Sequence, residues 1–472
     1  MEYWSLNQTS LKVMQQKRNL SQIHTNKTLL NGQLDTPKWW APTVIVLGIV
    51  VLIGLSAIGV MVNKGLGVTG LSRPVYWGLF ITTFVFWVGI SHAGIMISAI
   101  LRLTQAEWRR PVTRAAELLT VFSLLTALTF PLMHAGRPWR IIYYIIPYDF
   151  SRGIYPNIRS PLIWDPVAIG TYLTGSTLFL YIALIPDLGN LRDRTSGWQN
   201  AFYTILALGW RGNPRQWKMQ TVGGILLSAL MLPIFVSVHS IVSWDFAIIP
   251  AVEGWHSTIF APYFVIGAVH SGVSAVVTMM ALMRWLWKWD DFIRPEHFDA
   301  LARLLIVVAT AWLGFTFLEL LFAVYGLDAP ELALREMQMF QWPWNFLFII
   351  FMLTAYIIPV TMWLFKKVRT NIVLMFWTSI LVNIGMWLER FMIIVPGLAR
   401  KQPFVFTWEA YRPSGLEWLI LVWSFAWVTF LMLLFSRFFP LVPLFEQKES
   451  QVFTDDIKIG RASVPAIIRE ID

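Results

Sequence analysis

The chain has 472 residues, of which 56% are apolar and only 14% charged, where a soluble domain carries roughly 25% charged residues. That balance excludes an ordinary cytosolic enzyme and a disordered chain. Cysteine is absent, which excludes disulfides, thiolate-held iron–sulfur clusters and covalent c-type haem within this chain. The net charge of +10 is read as basic cytoplasmic loops rather than as a nucleic-acid surface.

A polar N-terminal tail (1–41) precedes ten apolar stretches. They cover 42–62, 74–101, 114–134, 163–185, 220–241, 258–284, 301–325, 344–365, 370–395 and 415–437, and a polar tail follows at 438–472. About 20 apolar residues cross a hydrocarbon layer of ~30 Å. Backbone in lipid must satisfy its own hydrogen bonds, so each stretch is predicted as a helix, and the alternation of barrel strands is missing. Of the 37 Lys and Arg residues, 26 fall in the two tails and in the loops after the second, fourth, sixth and eighth spans when the adjoining span ends are counted with them. The positive-inside rule then places both termini in the cytoplasm. The loop 242–257 has no basic residue and contains Asp245 and Glu253, so it is expected outside. The N-terminal tail does not read as a cleavable signal peptide, and its sequons at Asn7 and Asn26 are expected to be chance.

GLGVTG at 65–70 matches a dinucleotide fingerprint but has no preceding strand, so it is not a nucleotide site. A more telling pattern is an echo between spans. The second carries Ser91-His92-Ala93-Gly94 and the sixth Val269-His270-Ser271-Gly272. These spans are four apart and run in the same direction. The expectation is an all-α integral membrane protein with two four-helix bundles, spans two to five (74–241) and six to nine (258–395), and two peripheral helices, the first and the tenth.

Ionisable side chains cost about 2.5–3.5 kcal/mol each at the centre of a span and are functional candidates by default. The third span ends at PLMHAGR (131–137), the fourth begins at Trp164-Asp165-Pro166, the fifth ends towards His239 and Asp245, and the ninth ends at Glu389-Arg390. His134, Arg137, Asp165, His239, Asp245 and Arg390 are thereby predicted at one depth near the outer surface. Helix-end solvation would account for any one of them, whereas the group points to a site. No zinc spacing, nucleophile elbow or phosphate loop is present, and no metal site is expected. Imidazole beside carboxylate, under Trp and Phe, suits a quinol, whose two hydroxyls each lose a proton as electrons leave. A bis-histidine b-type haem is the competing reading, but no two of His92, His134, His239 and His270 are expected at the same level. His92, His270, Glu319 and Glu389, with nearby Ser and Thr, are read as a proton path. Close helix packing is the ordinary role of those hydroxyl residues.

SHAGIMISA at 91–99, PLMHAGRPWR at 131–140, SPLIWDPVAIG at 160–170, SVHSIVSWDFA at 237–247 and WLERFMIIVP at 387–396 resemble the NrfD-like family of polysulfide reductase membrane subunits. The resemblance covers about residues 40–440 and is greatest for the alternative complex III branch of that family. It implies menaquinol oxidation near the periplasmic surface. His134 and Asp165 match the family's His–Asp pair, Asp245 its second acidic group, and Arg137, His239 and Arg390 would complete the quinol site. The implied partners are c-type cytochrome subunits, a periplasmic iron–sulfur subunit and a paralogous NrfD-like membrane subunit, all at the bacterial inner membrane. Iron–sulfur clusters and haem c would lie in those partners, and proton translocation is a further implication. The alternative is a quinone-reacting anchor of a molybdenum-dependent reductase of polysulfide or tetrathionate type. A cysteine-free chain suits either arrangement. A secondary transporter would show broken helices at matched mid-membrane positions, a pattern the sequence lacks.

Overall fold

The computed structural model describes residues 28–30, 36–141, 149–156, 158–159, 163–248, 252–257, 259–400, 411–449, 453–459 and 462–468. Asn7 and Asn26 lie outside the described residues. Ten helices are long and apolar enough to cross a membrane, as the sequence predicts. They are α1 (Trp40–Lys64), α2 (Leu79–Leu103), α3 (Thr113–His134), α4 (Trp164–Arg192), α5 (Pro214–Ile248), α6 (Phe260–Trp287), α7 (Pro295–Gly326), α8 (Trp344–Trp363), α9 (Ile372–Ala399) and α10 (Gly415–Phe438). GLGVTG forms a short 3-10 turn over Leu66–Val68 between α1 and α2.

Most of the helices overrun their apolar stretches at one end or both, because a helix continues past the hydrocarbon wherever its backbone bonds remain intact, whereas α8 stops two residues short of its stretch. The largest correction falls on α5, which has 35 residues and at 1.5 Å per residue is about 50 Å long. Asp245, expected in the outer loop, therefore lies in the last turn of α5.

α2 is buried along nearly its whole length because it packs against α3, α5, α6 and α9 at once. Small residues make those crossings possible. A Cβ at Gly94 would sit 2.1 Å from the Ala116 carbonyl oxygen of α3, and one at Gly272 of α6 would sit 2.3 Å from Ala93 Cβ. In lipid, where hydrophobic burial gives no net drive, such close backbone approach is what holds helices together. α2, α3, α4 and α5 form one ring of contacts and α6, α7, α8 and α9 a second, the two meeting along α2 and α6. α1 pairs with α10 beside the first ring, where Trp40 Nε1 donates to the Leu433 carbonyl (3.0 Å). The outer face of α1 presents Ile45, Val46, Ile49 and Leu52, an apolar stripe suited to lipid.

α8 contains a π turn over Leu353–Ile357, just before Pro359. A widened turn accommodates a residue that has no N–H to donate. Two amphipathic helices, Gly197–Leu206 and Ala329–Phe340, connect spans. The C-terminal region adds an antiparallel hairpin, β1 (Phe453–Ile459) with β2 (Ala462–Ile468), a small exception to the all-α expectation.

Candidate functional site

α3 ends on His134, one turn after Pro131. α4 begins at Trp164 with Asp165 in its first turn, where a carboxylate complements the exposed N–H groups and the helix dipole. The carboxyl groups of Asp165 and Asp245 lie near enough to interact directly. Apart from a proton the two can share, Asp165 Oδ1 and both Asp245 oxygens are buried without a partner among the described residues, as is His134 Nδ1. These three groups stand on consecutive helices of the first ring at one end of it, the end expected outside from the charge count. A buried acceptor without a donor is expensive, so the pair is suited to an incoming O–H.

Of the other three residues expected at that level, Arg137 stays near it and two lie deeper. Arg137 is exposed in the turn after α3. His239 is six residues before Asp245 on α5, about 9 Å deeper. Arg390 is 1% exposed and nine residues before the end of α9, about 13 Å down that helix. Depth estimated along one sequence ignores how far each helix overruns the membrane, and that overrun separates the six into two tiers.

The deeper tier is assembled from both rings. His92 is fully buried, its Nδ1 donates to the Val88 carbonyl (2.5 Å), and its ring stacks on Tyr172 at 4.8 Å. It also meets His239 edge to face at 4.5 Å. The expectation that no two histidines share a level is thus corrected. Contact this close leaves no gap for a porphyrin plane between the rings. His239 stacks in turn on Phe264 of α6 (5.1 Å), and the Arg390 guanidinium lies 5.7 Å from the same Phe264 ring. Arg390 Nη1 is ion-paired with Glu389, which also accepts from the Tyr263 hydroxyl and from Trp312 Nε1 (3.4 Å). His270 lies 5.8 Å from Trp312. Among the described residues, His92 Nε2, both ring nitrogens of His239 and of His270, and Arg390 Nε and Nη2 have no hydrogen-bond partner. Buried polar atoms of this kind call for a hydrogen-bonding partner such as water.

Glu319 stands apart from that tier. It accepts from Ser257 and is ion-paired with Arg335 (3.2 Å), which also holds Glu331 (2.8 Å). Glu331 accepts from the Gly254 N–H (2.5 Å), and Gln338 Nε2 donates to the Met392 carbonyl (2.8 Å). This network fastens the connecting helix Ala329–Phe340 to the second ring.

A third polar group, at the opposite end of the first ring, is one that hydropathy and motif do not reveal. Arg114 Nη2 binds Asp187 (3.1 Å), and Ser98 donates to Glu117 (2.5 Å). The chain after α10 folds back here. Leu444 N–H binds Asp187, Phe445 stacks on Trp217 at 3.9 Å, and Glu446 bridges Arg102 (3.5 Å) and Arg109 (2.8 Å). Together they enclose a polar cavity of about 420 Å³. A signal exists at Arg114 and Glu117, a charged pair at i and i+3 inside an apolar stretch. Asp187 and Glu446 are remote in sequence and give no such signal.

Residues 67–401 match the family described as polysulphide reductase, NrfD. The chain is 28% identical over 237 residues to a putative dimethyl sulfoxide reductase membrane subunit of Halobacterium salinarum, covering 50% of each chain. It is 22% identical to a selenate reductase subunit of Mesobacillus selenatarsenatis, across 86% of this chain and 94% of that one. It is 21% identical to an Hdr-like menaquinol oxidoreductase integral membrane subunit of Archaeoglobus fulgidus, across 85% and 93%. The chain thus spans half the length of the first of these relatives and nearly all of the other two.

Proposed function

The chain belongs to the polysulphide reductase NrfD family, and from that premise we propose that it is the quinol-oxidising membrane anchor of a multi-subunit respiratory oxidoreductase. The carrying observation is the buried carboxyl pair, Asp165 and Asp245, at the same end of the first ring as His134 at the α3 terminus. A quinol brings two O–H donors to these acceptors. As it becomes a quinone it releases two protons and two electrons. His134 and the carboxyl pair take the protons, and the electrons leave to a metal centre in a partner, because a chain without cysteine cannot hold an iron–sulfur cluster through thiolates.

The relatives' names favour a reductase anchor, with catalytic and iron–sulfur partners, over the alternative complex III assignment that the motifs suggest. Two are named for reductases and one for a menaquinol oxidoreductase. In this reading quinol oxidation feeds a terminal reductase, and menaquinol is the substrate that the third name supports. The protein sits in the cytoplasmic membrane with both termini inside and the carboxyl pair near the outer face. The deeper tier of His92, His239, His270, Glu389 and Arg390 supplies a route for protons. Proton release measured in reconstituted vesicles tests that route, and scalar protons alone would remove it.

Purifying the native complex tests the assignment. A molybdopterin-bearing subunit is expected beside the chain, whereas c-type haem absorbance in its place would restore the alternative complex III reading. Loss of quinol turnover in His134→Ala and Asp165→Asn complexes that still assemble is the expected result at the site. Undiminished turnover in both variants would move the site elsewhere.

A further inference from the structure

Two apolar crevices of similar size flank α5 on the face towards lipid. One, about 310 Å³, lies between α4 and α5. The other, about 360 Å³, lies between α5, α6 and α7. They differ in what stands at their outer ends. In the first, Ile234, Val238 and Ile241 line one wall, and Asp245 continues the same stripe at the next helical step, since positions i, i+4, i+7 and i+11 share a helix face. The opposite wall carries Val167, Ala168 and Thr171, and Asp165 stands one turn before Ala168. The Asp165–Asp245 pair, which links α4 to α5, therefore closes the outer end of this crevice. In the second crevice the α5 wall is Val236, Ser240 and Trp244 and the α7 wall is Phe315, one turn before Glu319, whose carboxylate is already taken up by Ser257 and Arg335.

We propose that the crevice between α4 and α5 is the lateral entry and seat for the isoprenoid chain of the quinol. The proposal rests on the quinol-oxidation reading and adds the route and the tail contact. An occupant of this space needs an apolar chain along the crevice and hydrogen-bond donors at its head, because the carboxyl pair, even when its two groups share one proton, keeps buried oxygens that no donor among the described residues reaches. A quinol has both. A phospholipid has the chain but would bring an anionic phosphate to two carboxyl groups, which is repulsive in a low-dielectric setting. Val167 is 62% exposed, so the crevice opens to the membrane at the depth where a hydrophobic tail resides.

The test compares a long-chain menaquinol with a tailless naphthoquinol, using the purified complex in lipid nanodiscs. Val167→Trp and Thr171→Phe narrow the crevice from the α4 side without touching the carboxyl pair. The ratio of KM for the long-chain substrate to KM for the tailless one is expected to rise about tenfold, the scale on which a blocked apolar subsite discriminates. Val265→Trp narrows the second crevice and is expected to leave the ratio at its wild-type value. A ratio that responds to Val265→Trp but not to the α4 variants would assign the tail to the second crevice and overturn the proposal. Equal rises in both KM values would also overturn it, since the crevice would then act on the head rather than the tail. If the wild-type complex oxidised neither quinol, the quinol reading itself would fail, an outcome distinct from either of these.

Discussion

The imidazole rings of His92 and His239 meet edge to face with centroids 4.5 Å apart, and both side chains are fully buried. One comes from α2 and the other from α5. His239 is the next ionisable group below Asp245 on α5, and His92 continues the line towards Tyr172 and Ser91, whose carbonyl accepts from Tyr172 and from Thr120. Through Phe264 the same line reaches Arg390 in the second ring. This contact converts two histidines in separate spans into one element.

If protons leave the carboxyl pair through it, His239→Leu should lower quinol turnover by about tenfold, the low end of a general acid–base contribution. The leucine keeps most of the volume and removes the titratable ring. The purified complex should assemble normally and show a changed solvent deuterium isotope effect. Wild-type turnover and isotope effect would reduce the pair to packing.

The carboxyl pair carries a stronger expectation. Asp245→Asn keeps the shape but replaces a group that can take up and release a proton with an amide that cannot. Quinol turnover should fall by about 100-fold or more, with assembly intact. Asp165→Asn should behave alike, because each residue is the other's neighbour. Steady-state assays with the partner subunits present check both.

Arg390 and Glu389 form a buried pair between the rings. Arg390→Met would leave the Glu389 carboxylate with only Tyr263 and Trp312 as partners. Breaking a buried ion pair from one side costs about 3–5 kcal/mol, so a marked loss of thermal stability in detergent is expected. The double variant Glu389→Gln with Arg390→Met removes both charges and should recover most of that loss. A double variant as unstable as the single one would deny that the stranded charge is the cause.

Arg335 holds both Glu319 and Glu331 at the outer surface. Arg335→Ala should release the connecting helix Ala329–Phe340 rather than unfold the bundle. Amide exchange in that helix should accelerate by about tenfold, matching a loss of one or two charge-assisted hydrogen bonds at about 1.5 kcal/mol. Quinol turnover should change little. A large loss of turnover with unchanged exchange would return Glu319 to the proton path.

Gly94 tests the packing argument. Its Cβ would overlap the Ala116 carbonyl and the Thr120 hydroxyl at 2.1 and 2.2 Å, and both belong to backbone or to a residue already hydrogen-bonded to Ser91. Gly94→Val should prevent accumulation of the assembled complex in the membrane, measured by quantitative immunoblotting. Gly59, with open space around its Cβ position, should accept the same change.

Much of the site is legible one residue at a time. His134 and Asp165 follow from the motif ends of the third and fourth spans, and the embedded histidines follow from their cost in lipid. The grouping is less legible. His239 and Arg390 read as neighbours of His134 because all three occur near the outer ends of apolar stretches, yet α5 and α9 continue well beyond those stretches. Glu319 resembles a relay group on its own helix, and its partner Arg335 belongs to a connecting helix that hydropathy does not flag. Asp187 sits at the edge of its stretch, and its contacts with Arg114 and the chain after α10 leave no trace in spacing.

The sequence by itself determined the number of spans, their helical form, the chemistry available within them and, through cysteine's absence, the need for metal centres elsewhere. Hydropathy and hydrogen-bond satisfaction are settled within a single helix, so one segment's residues suffice to specify them. Only the tertiary structure decided that Asp165 meets Asp245, that His92 meets His239, and that Arg390 belongs to the junction of the two rings. Those contacts depend on the rotation and axial shift of each helix. Small residues such as Gly94 and Gly272 set both, by allowing particular backbones to approach at particular heights.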